Sequence, residues 1–302
     1  MINQYTYGNT LWVDVENPKE ADIVDLVREF NLDTSCAEQL SDPTLRSKIE
    51  IFDNQVFMVL HFPDHPSRKK TDDRLEIDFI IGQNYIITIR YGVIDSLIES
   101  QKIIETKSLM KKDFSIEPIN VAREILATLY RNLRDEIAIL GREIKNIEEE
   151  VFSGNEDKMV QRISLLRRKF IDIKHSTRFH EEVLKGLSNC TKNGYCSGDT
   201  VVVESILARY YKMYDLLEGN MEIVRELRET NDSLLTAKNN DVMKRLTLMA
   251  FITFPLSLVA LVLFDPGSPH VFHGPNGFWI VVGILVILFL IMHVYFKYKK
   301  WI

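Results

Sequence analysis

LTLMAFITFPLSLVALVLF at residues 246–264 and FWIVVGILVILFLIMHVYF at residues 278–296 are the two stretches that decide the fold. Neither contains Asp, Glu, Lys or Arg, and each approaches the roughly 20 residues that a helix needs to cross the hydrocarbon core of a bilayer. Pro255, inside the first stretch, is compatible with a membrane helix, where proline is tolerated better than in a soluble helix. The sequence therefore predicts two transmembrane helices near the end of the chain.

Basic residues flank the two stretches on one side only. Lys244 and Arg245 precede the first stretch and KYKK at residues 297–300 follows the second, whereas the loop at residues 265–277 contains no Lys or Arg. Because basic residues are retained on the cytoplasmic side, we expect a multi-pass protein of the cell (inner) membrane. Its N- and C-termini are then cytoplasmic and the lipid bilayer is one of its partners.

The rest of the chain is acidic. Beyond Asn240 there are five basic and two acidic residues, so the net charge of −6 for the whole chain leaves −9 for the first 240 residues. Such a body repels nucleic acid, and no nucleic-acid partner is expected. Cys36, Cys190 and Cys196 lack metal-ligand spacing, which predicts free thiols in a reducing cytosol.

Residues 1–117 show the mixed periodicity of a cytoplasmic α/β domain. TLWVDVEN at 10–17 alternates like a strand, and EADIVDLVREF at 20–30 has helical spacing. KIEIFDNQVFMVLHFP at 48–63 and RLEIDFIIGQNYIITIRYG at 74–92 each indicate two strands around a turn. His61 and His65 beside Asp64 are interpreted as a loop.

Helical periodicity takes over at Pro118. Apolar residues recur every three or four positions as far as Val151, which predicts one long amphipathic helix. A second helix, roughly Met159 to Leu187, returns, and together they give a cytoplasmic helical hairpin at 118–199.

A third helix is predicted to begin near Thr200 and to continue into the membrane. It contains no proline before Pro255, which favours an unbroken stalk that becomes the first transmembrane helix at 200–264. The outer loop then occupies 265–277, and the second transmembrane helix with its basic tail occupies 278–302.

A stripe with alternating steps of four and three residues follows this helix. Such a heptad rhythm keeps one face turned toward a shared axis, and polar residues in a membrane span usually face a bundle interior or water. A water-filled pore is one interpretation; the other is that Thr247 and Ser257 only bond their own helix backbone. The stripe consists of Glu229, Ser233, Thr236, Asn240, Met243, Thr247, Ala250, Phe254, Ser257 and Leu261.

NNDVMKRLTLMAFITFPLSLVALVLF at 239–264 and the terminal YKKWI resemble the stalk end, first span and basic ending of the CorA family of divalent-cation channels. Weaker similarities are WVDVENP at 12–18, RSKIEIFDNQVFMVL at 46–60 and YIITIRY at 85–91. The resemblance implies an α+β cytoplasmic domain, a long helical stalk, two C-terminal transmembrane helices and a homopentameric funnel. The first transmembrane helix of each copy then lines a central pore.

The same resemblance implies the residues of the pore. Glu229 is placed at the inner mouth, and the pore residues follow as Asn240, Met243, Phe254, Ser257 and Leu261, with Thr247 added by the periodicity. No catalytic residue and no set of metal ligands is assigned. No cofactor is required, and a divalent cation such as Mg²⁺ is expected as substrate or regulator.

The chain departs from the family at the outer end of the first span. Transporting members carry a Gly-Met-Asn motif there, whereas the matching residues are Phe264, Asp265 and Pro266. Leu261 replaces a small glycine and Phe254 stands where a methionine is common. Hydrophobic rings of this kind gate by dewetting.

Substitutes for the missing motif are available near the outer mouth. Asp265 would supply a carboxylate ring or only a helix-ending turn, and Asn276, in Gly274-Pro275-Asn276, resembles a displaced motif. His270 and His273 suit Zn²⁺, although two histidines in a loop are more often incidental. Acidic candidates for internal cation sensing are too many to rank: they include Asp72, Asp73, Glu204 and Asp215.

Two functions follow. The first is a CorA-like pentameric channel or transporter for a divalent cation, Mg²⁺ or a related ion such as Zn²⁺ or Co²⁺, with altered selectivity. The alternative is a non-conducting membrane scaffold or sensor that keeps the fold. Phosphate-cradling glycine loops, HExxH and nucleophile motifs are absent from the sequence, so no enzymatic activity is predicted.

Overall fold

A computed structural model describes residues 1–40, 44–63, 75–110, 116–193, 198–263 and 276–299. The chain divides into two compact units, Met1–Arg228 and Glu229–Ile302. The strands are β1 (Ile2–Tyr7), β2 (Thr10–Glu16), β3 (Lys48–Ile51), β4 (Val56–Phe62), β5 (Leu75–Ile81) and β6 (Tyr85–Arg90). The helices are α1 (Glu20–Phe30), α2 (Thr34–Gln39), α3 (Asp95–Met110), α4 (Pro118–Phe152), α5 (Glu156–Thr177), α6 (His180–Lys192), α7 (Thr200–Leu263) and α8 (Gly277–Tyr298).

The first unit is built on one sheet, whose six described strands lie in the order β1-β2-β6-β5-β4-β3. Neighbours are antiparallel except β2 and β6, which are parallel. Phe57 joins the apolar cluster under α1 and α2, whereas Phe62, on the opposite face of β4, lies 5.9 Å from the ring of Tyr130 on α4. Because helices cover both faces, β4 is buried at every position, as expected for a strand without a solvated side.

A buried polar network joins β2 to β6. The Arg90 guanidinium donates to Asp14 through Nη2 at 3.1 Å and Nε at 3.3 Å. The hydroxyl of Thr88 donates to the same carboxylate at 2.9 Å and accepts from the indole N–H of Trp12 at 3.0 Å. Since breaking such a pair leaves an uncompensated buried charge, the network fixes the pairing of two strands that are far apart in sequence.

The structure confirms most of the predicted elements. The strand at Thr10–Glu16, the helix at Glu20–Phe30, the two hairpins and the helix from Pro118 are present. Helix α7 begins at Thr200 and runs without a break, past Pro255, to Leu263. Strand β1 and helices α2 and α3 were not predicted from the sequence.

The single returning helix predicted at Met159 to Leu187 is wrong. Helix α5 ends at Thr177 and α6 starts at His180, although neither glycine nor proline lies between them. The break coincides with two tertiary contacts. The guanidinium of Arg46 stacks over the ring of Phe179, 5.2 Å from its centroid, and His180 is completely buried.

Two further expectations are corrected. Cys190 is disulfide-bonded, so the prediction of three free thiols is wrong. Cys36 is a buried free thiol whose pKa is raised to about 12, chiefly by burial.

His61 lies in strand β4 rather than in a loop, with its Nε2 3.2 Å from the Glu76 carboxylate. Cys196, Asp64 and His65 lie outside the described residues.

His180 connects the sheet to α4. Its Nε2 lies 2.8 Å from the carbonyl oxygen of His61, and its Nδ1 lies 3.0 Å from the hydroxyl of Tyr130. A carbonyl only accepts, so Nε2 carries the proton and Nδ1 accepts from Tyr130. Burial lowers the pKa of His180 to about 3, and the ring is therefore neutral in the folded protein at neutral pH.

This burial predicts acid sensitivity. The folded pKa of His180 is lower than the usual value of 6.5, so stability is complete above pH 6.5 and is lost as the pH falls toward 3. We expect the free energy of unfolding to fall by about 2 kcal/mol between pH 7 and pH 5. The measurement is urea unfolding at pH 7, 6 and 5, followed by tryptophan fluorescence.

Two variants identify the source of the slope. His180→Gln keeps an N–H donor but no longer titrates, so its stability should depend less on pH even if it is lower throughout. His175→Gln, at an exposed position, should keep the wild-type slope. Equal slopes in both variants would contradict the assignment.

Candidate functional site

The second unit contains the apolar part of α7 and all of α8. Both helices are long and apolar enough to cross a membrane, and little of either apolar segment is buried inside the protein. A core helix of a soluble protein would be mostly buried. The described residues therefore contain two candidate membrane spans, at the positions where the sequence predicts them.

All ten residues of the stripe on α7 are exposed in the single chain. Among the large apolar members, Met243 is 60% exposed, Phe254 is 72% exposed and Leu261 is 74% exposed. Leu261 lies eighteen residues after Met243, which is about five helical turns and returns to the same side of the helix. The stripe is thus one continuous face that the chain's own residues leave uncovered.

The better-covered residues of the same segment lie on the other side of α7. At about 100° per residue, their mean direction is roughly opposite to that of the stripe. One side of α7 is therefore covered by other residues of the same chain, and the stripe points away from that side. The covered residues are Leu248, which is buried, and Ile252, Pro255, Leu256, Val259, Ala260 and Leu263, which are partly buried.

The hydroxyl groups on this segment bond their own helix. Thr247 Oγ1 donates to the carbonyl of Met243 at 2.8 Å, and Ser257 Oγ donates to the carbonyl of Thr253 at 2.9 Å. This is the backbone bonding that the sequence analysis gave as the alternative to a pore. The two interpretations are compatible, because a hydroxyl that has donated its proton retains its acceptor lone pairs.

The same arrangement continues toward the start of the stripe. Ser233 donates to the carbonyl of Glu229 at 2.8 Å, and Thr236 donates to that of Asp232 at 2.8 Å. Together with the carboxylate of Glu229 and the amide of Asn240, the stripe presents acceptor oxygens along its length. Such oxygens suit hard cations or the waters that surround them.

The structure places only part of the predicted outer mouth. Asn276 is exposed and precedes α8, where its carbonyl accepts from the N–H of Ile280 at 3.2 Å. Phe264 and Pro266, together with Asp265, His270, His273, Gly274 and Pro275, lie outside the described residues. Whether any of them replaces the missing motif therefore stays a prediction.

Metal sensing in the body receives no support from clustered ligands. Within the described residues, no group of three or more His, Cys, Asp or Glu side chains is arranged to hold a metal ion. Of the acidic candidates, Glu204 pairs with Lys192 at 3.2 Å and Asp215 is exposed. Asp72 and Asp73 lie outside the described residues.

Four basic residues of the first unit, which were not singled out in the sequence, line one cleft. Arg131 and Arg134 of α4 line a cleft together with Arg209 and Lys212 of α7. The only sequence signal was the three-residue spacing within each pair, which places both members on one helix face. No signal in the sequence predicts that the pair on α4 lies close to the pair on α7.

Known proteins share this architecture over almost the whole chain. Cobalt/magnesium transport protein CorA from Thermotoga maritima is 24% identical, with 96% of this chain and 83% of that protein covered. The complete structure of the CorA magnesium transporter from Methanocaldococcus jannaschii is similar with a TM-score of 0.79 and 19% identity, covering 97% of this chain and 92% of that one. The full-length CmaX protein gives a TM-score of 0.75 and 15% identity over 97% and 89% of the two chains.

The family match spans both units. Residues 7–299 match the family described as CorA-like Mg²⁺ transporter protein, so the matched region includes strands β2 to β6, the long helix α7 and the second apolar helix. The chain therefore belongs to the CorA-like Mg²⁺ transporter family, whose members are ion transporters and not enzymes.

Proposed function

We propose that the chain assembles as a homopentamer in which the stripe of α7 lines a pathway for a divalent cation. The observation that carries this proposal is the direction of the stripe: all its residues are exposed and point away from the side of α7 that the chain covers. A face with Ser, Thr and Asn is poorly suited to lipid, and convergence of several copies on one axis would remove it from lipid.

The acceptor oxygens favour a hydrated cation as the substrate. Mg²⁺ dehydrates reluctantly and usually keeps several waters, and those waters donate hydrogen bonds outward. Thr247 and Ser257 have already donated their protons to the backbone, so their oxygens can only accept from such waters. Mg²⁺, Co²⁺ and Zn²⁺ all fit this description.

Two rings of bulky apolar side chains, one side chain from each copy, distinguish the proposed pathway from one that is polar throughout. Phe254 and Leu261 stand seven residues apart on the stripe, which is about 10 Å along the helix. Repeated around an axis, their side chains would narrow the path and exclude water. We therefore propose a selectivity or an opening step that differs from that of members with Gly-Met-Asn.

The proposed orientation places both termini in the cytoplasm. Lys244 and Arg245 lie before the first apolar segment, and Lys297 and Lys299 lie at the end of the second. The membrane potential then favours inward movement of a cation by about 2.3 kcal/mol per charge for each 100 mV. Transport needs no other source of energy.

Ion flux into proteoliposomes tests the proposal directly. Purified pentamers, verified by light scattering, would be tested in parallel with Mg²⁺, Zn²⁺, Co²⁺, Na⁺ and Cl⁻, with and without a pH gradient. We expect flux of at least one divalent cation well above that of Na⁺ and Cl⁻.

The alternative function is a non-conducting scaffold or sensor with the same fold. The exposed Phe254 and Leu261 favour it, because two apolar rings in series are an effective seal. Silence toward every ion, from verified pentamers, would establish this alternative in place of transport.

Replacing Leu261 by glycine tests whether its ring is the constriction. We expect Leu261→Gly to raise flux several-fold because the ring widens and admits water. Val262→Gly is the matched control: Val262 is also exposed, at 60%, carries the same glycine cost of about 1 kcal/mol, and points about 100° away. Unchanged flux in intact pentamers, or an equal rise in both variants, would rule out Leu261 as the constriction.

Threonine-to-valine replacement tests the acceptor oxygens. Thr247 and Thr253 are both exposed, and both donate to the carbonyl four residues earlier, at 2.8 Å and 2.9 Å. They differ in direction by about 120°. Thr247→Val should reduce flux by about threefold to tenfold, as expected for one lost hydrogen bond, whereas Thr253→Val should leave it unchanged. The reverse order would show that the stripe is not the pathway.

A further inference from the structure

A basic cleft lies between α4 and α7 in the first unit. It has a volume of about 300 Å³, and its walls carry Arg131 and Arg134 from α4 and Arg209 and Lys212 from α7. Within each pair the residues are three positions apart, so both side chains leave the same face of their helix. Four basic residues therefore line one small volume.

The remaining lining of the basic cleft is small or already bonded. Ser205 and Ala208 leave room where larger side chains would fill the space. The hydroxyl of Ser205 donates to the carbonyl of Val202 at 2.6 Å, and the buried hydroxyl of Tyr130 is taken up by His180. The donors available to a ligand are thus guanidinium and ammonium groups, which select for an anion.

The charge of the basic cleft is only partly compensated. Arg131 pairs with Glu99 at 2.7 Å, and Arg134 pairs with Asp135 at 3.1 Å. Arg209 and Lys212 make no ion pair with any residue that the structure describes, and both are exposed. The basic cleft therefore carries an excess of about two positive charges. This local excess contrasts with the net charge of −9 on the first 240 residues of the chain.

We propose that the basic cleft binds a polyphosphate group, either as a free anion or as the phosphate chain of a nucleotide. Arginine presents a fork of donors that matches phosphate oxygens, and lysine binds them as a point charge. The volume lies at the lower end of ligand sites, so it accommodates a short phosphate chain, and a nucleoside attached to the chain would extend outside.

The proposed ligand links the basic cleft to divalent cations. Mg²⁺ in nucleotide sites is bound through the phosphate oxygens, which are the same oxygens that the four cationic side chains would contact. Mg²⁺ and the basic cleft therefore compete for one ligand, and the uncomplexed anion is the form that binds. This inference concerns the first unit and does not depend on whether the stripe conducts.

Calorimetric titration of the purified full-length protein tests the proposal. The ligands are pyrophosphate, tripolyphosphate and ATP, with sulfate and citrate as anions of other geometry. We expect binding of tripolyphosphate that weakens with added salt and with excess Mg²⁺. Tighter binding of ATP than of tripolyphosphate would identify a nucleotide as the ligand; equal binding would identify the phosphate chain alone.

The decisive comparison uses two variants with the same change in charge. Arg209→Gln with Lys212→Gln removes the two unpaired cations of the basic cleft and should weaken binding by about tenfold or more. Arg142→Gln with Lys145→Gln removes two exposed cations of α4 outside the cleft and should leave binding within about twofold of wild type.

Several results would overturn the proposal. They are absence of binding to the wild type, equal loss in the two variants, and citrate binding as tightly as tripolyphosphate. A further contradicting result would come from light scattering. If the wild type binds no phosphate and the Arg209→Gln, Lys212→Gln variant forms smaller oligomers than the wild type, carboxylates of a neighbouring copy occupy the basic cleft instead of phosphate.

Discussion

A peptide group that enters hydrocarbon without a hydrogen-bond partner costs several kcal/mol, and this constraint shapes the second unit. Apart from the bond missing at Pro255, helix α8 and the apolar part of α7 satisfy their backbone internally, so these segments are free to be almost wholly apolar. The same constraint acts on the side chains: Thr247, Thr253 and Ser257 each donate to a carbonyl of their own helix. What remains for the surroundings is a set of oxygens that only accept, and that property underlies the cation preference proposed for the stripe.

Sequence reasoning succeeded where the signal is local. The start of α7 at Thr200, the helix from Pro118 and both hairpins follow from periodicity and turn residues within a few positions. It failed where distant contacts decide. The parallel pairing of β2 with β6 is accompanied by the buried Asp14–Arg90 pair. The break before His180 coincides with a contact of that ring to the carbonyl of His61, more than one hundred residues earlier. Neither contact leaves a pattern in the sequence around it.

The candidate site divides in the same way. The rhythm of the stripe is local, so the sequence alone indicates that its members share one helix face, and their role as pore residues stays a prediction. Which side of α7 the chain covers depends on packing within the second unit. The basic cleft is non-local as well, since about 75 residues separate Arg134 from Arg209. A pair of arginines on one helix face is ordinary; two such pairs become chemically significant only when the fold places them across a cleft lined by Ser205 and Ala208.

In the proposed pore, polar and apolar rings oppose one another. Ser257 lies between Phe254 and Leu261, so an acceptor ring would stand between two rings that exclude water. A hydrated ion passes only if both apolar rings widen. Pro255 removes one backbone hydrogen bond directly after Phe254, and proline is the commonest site of bending in a helix. A bend there would move Leu261 relative to Phe254 without breaking the rest of α7, so Pro255 is the point at which the proposed pathway would open.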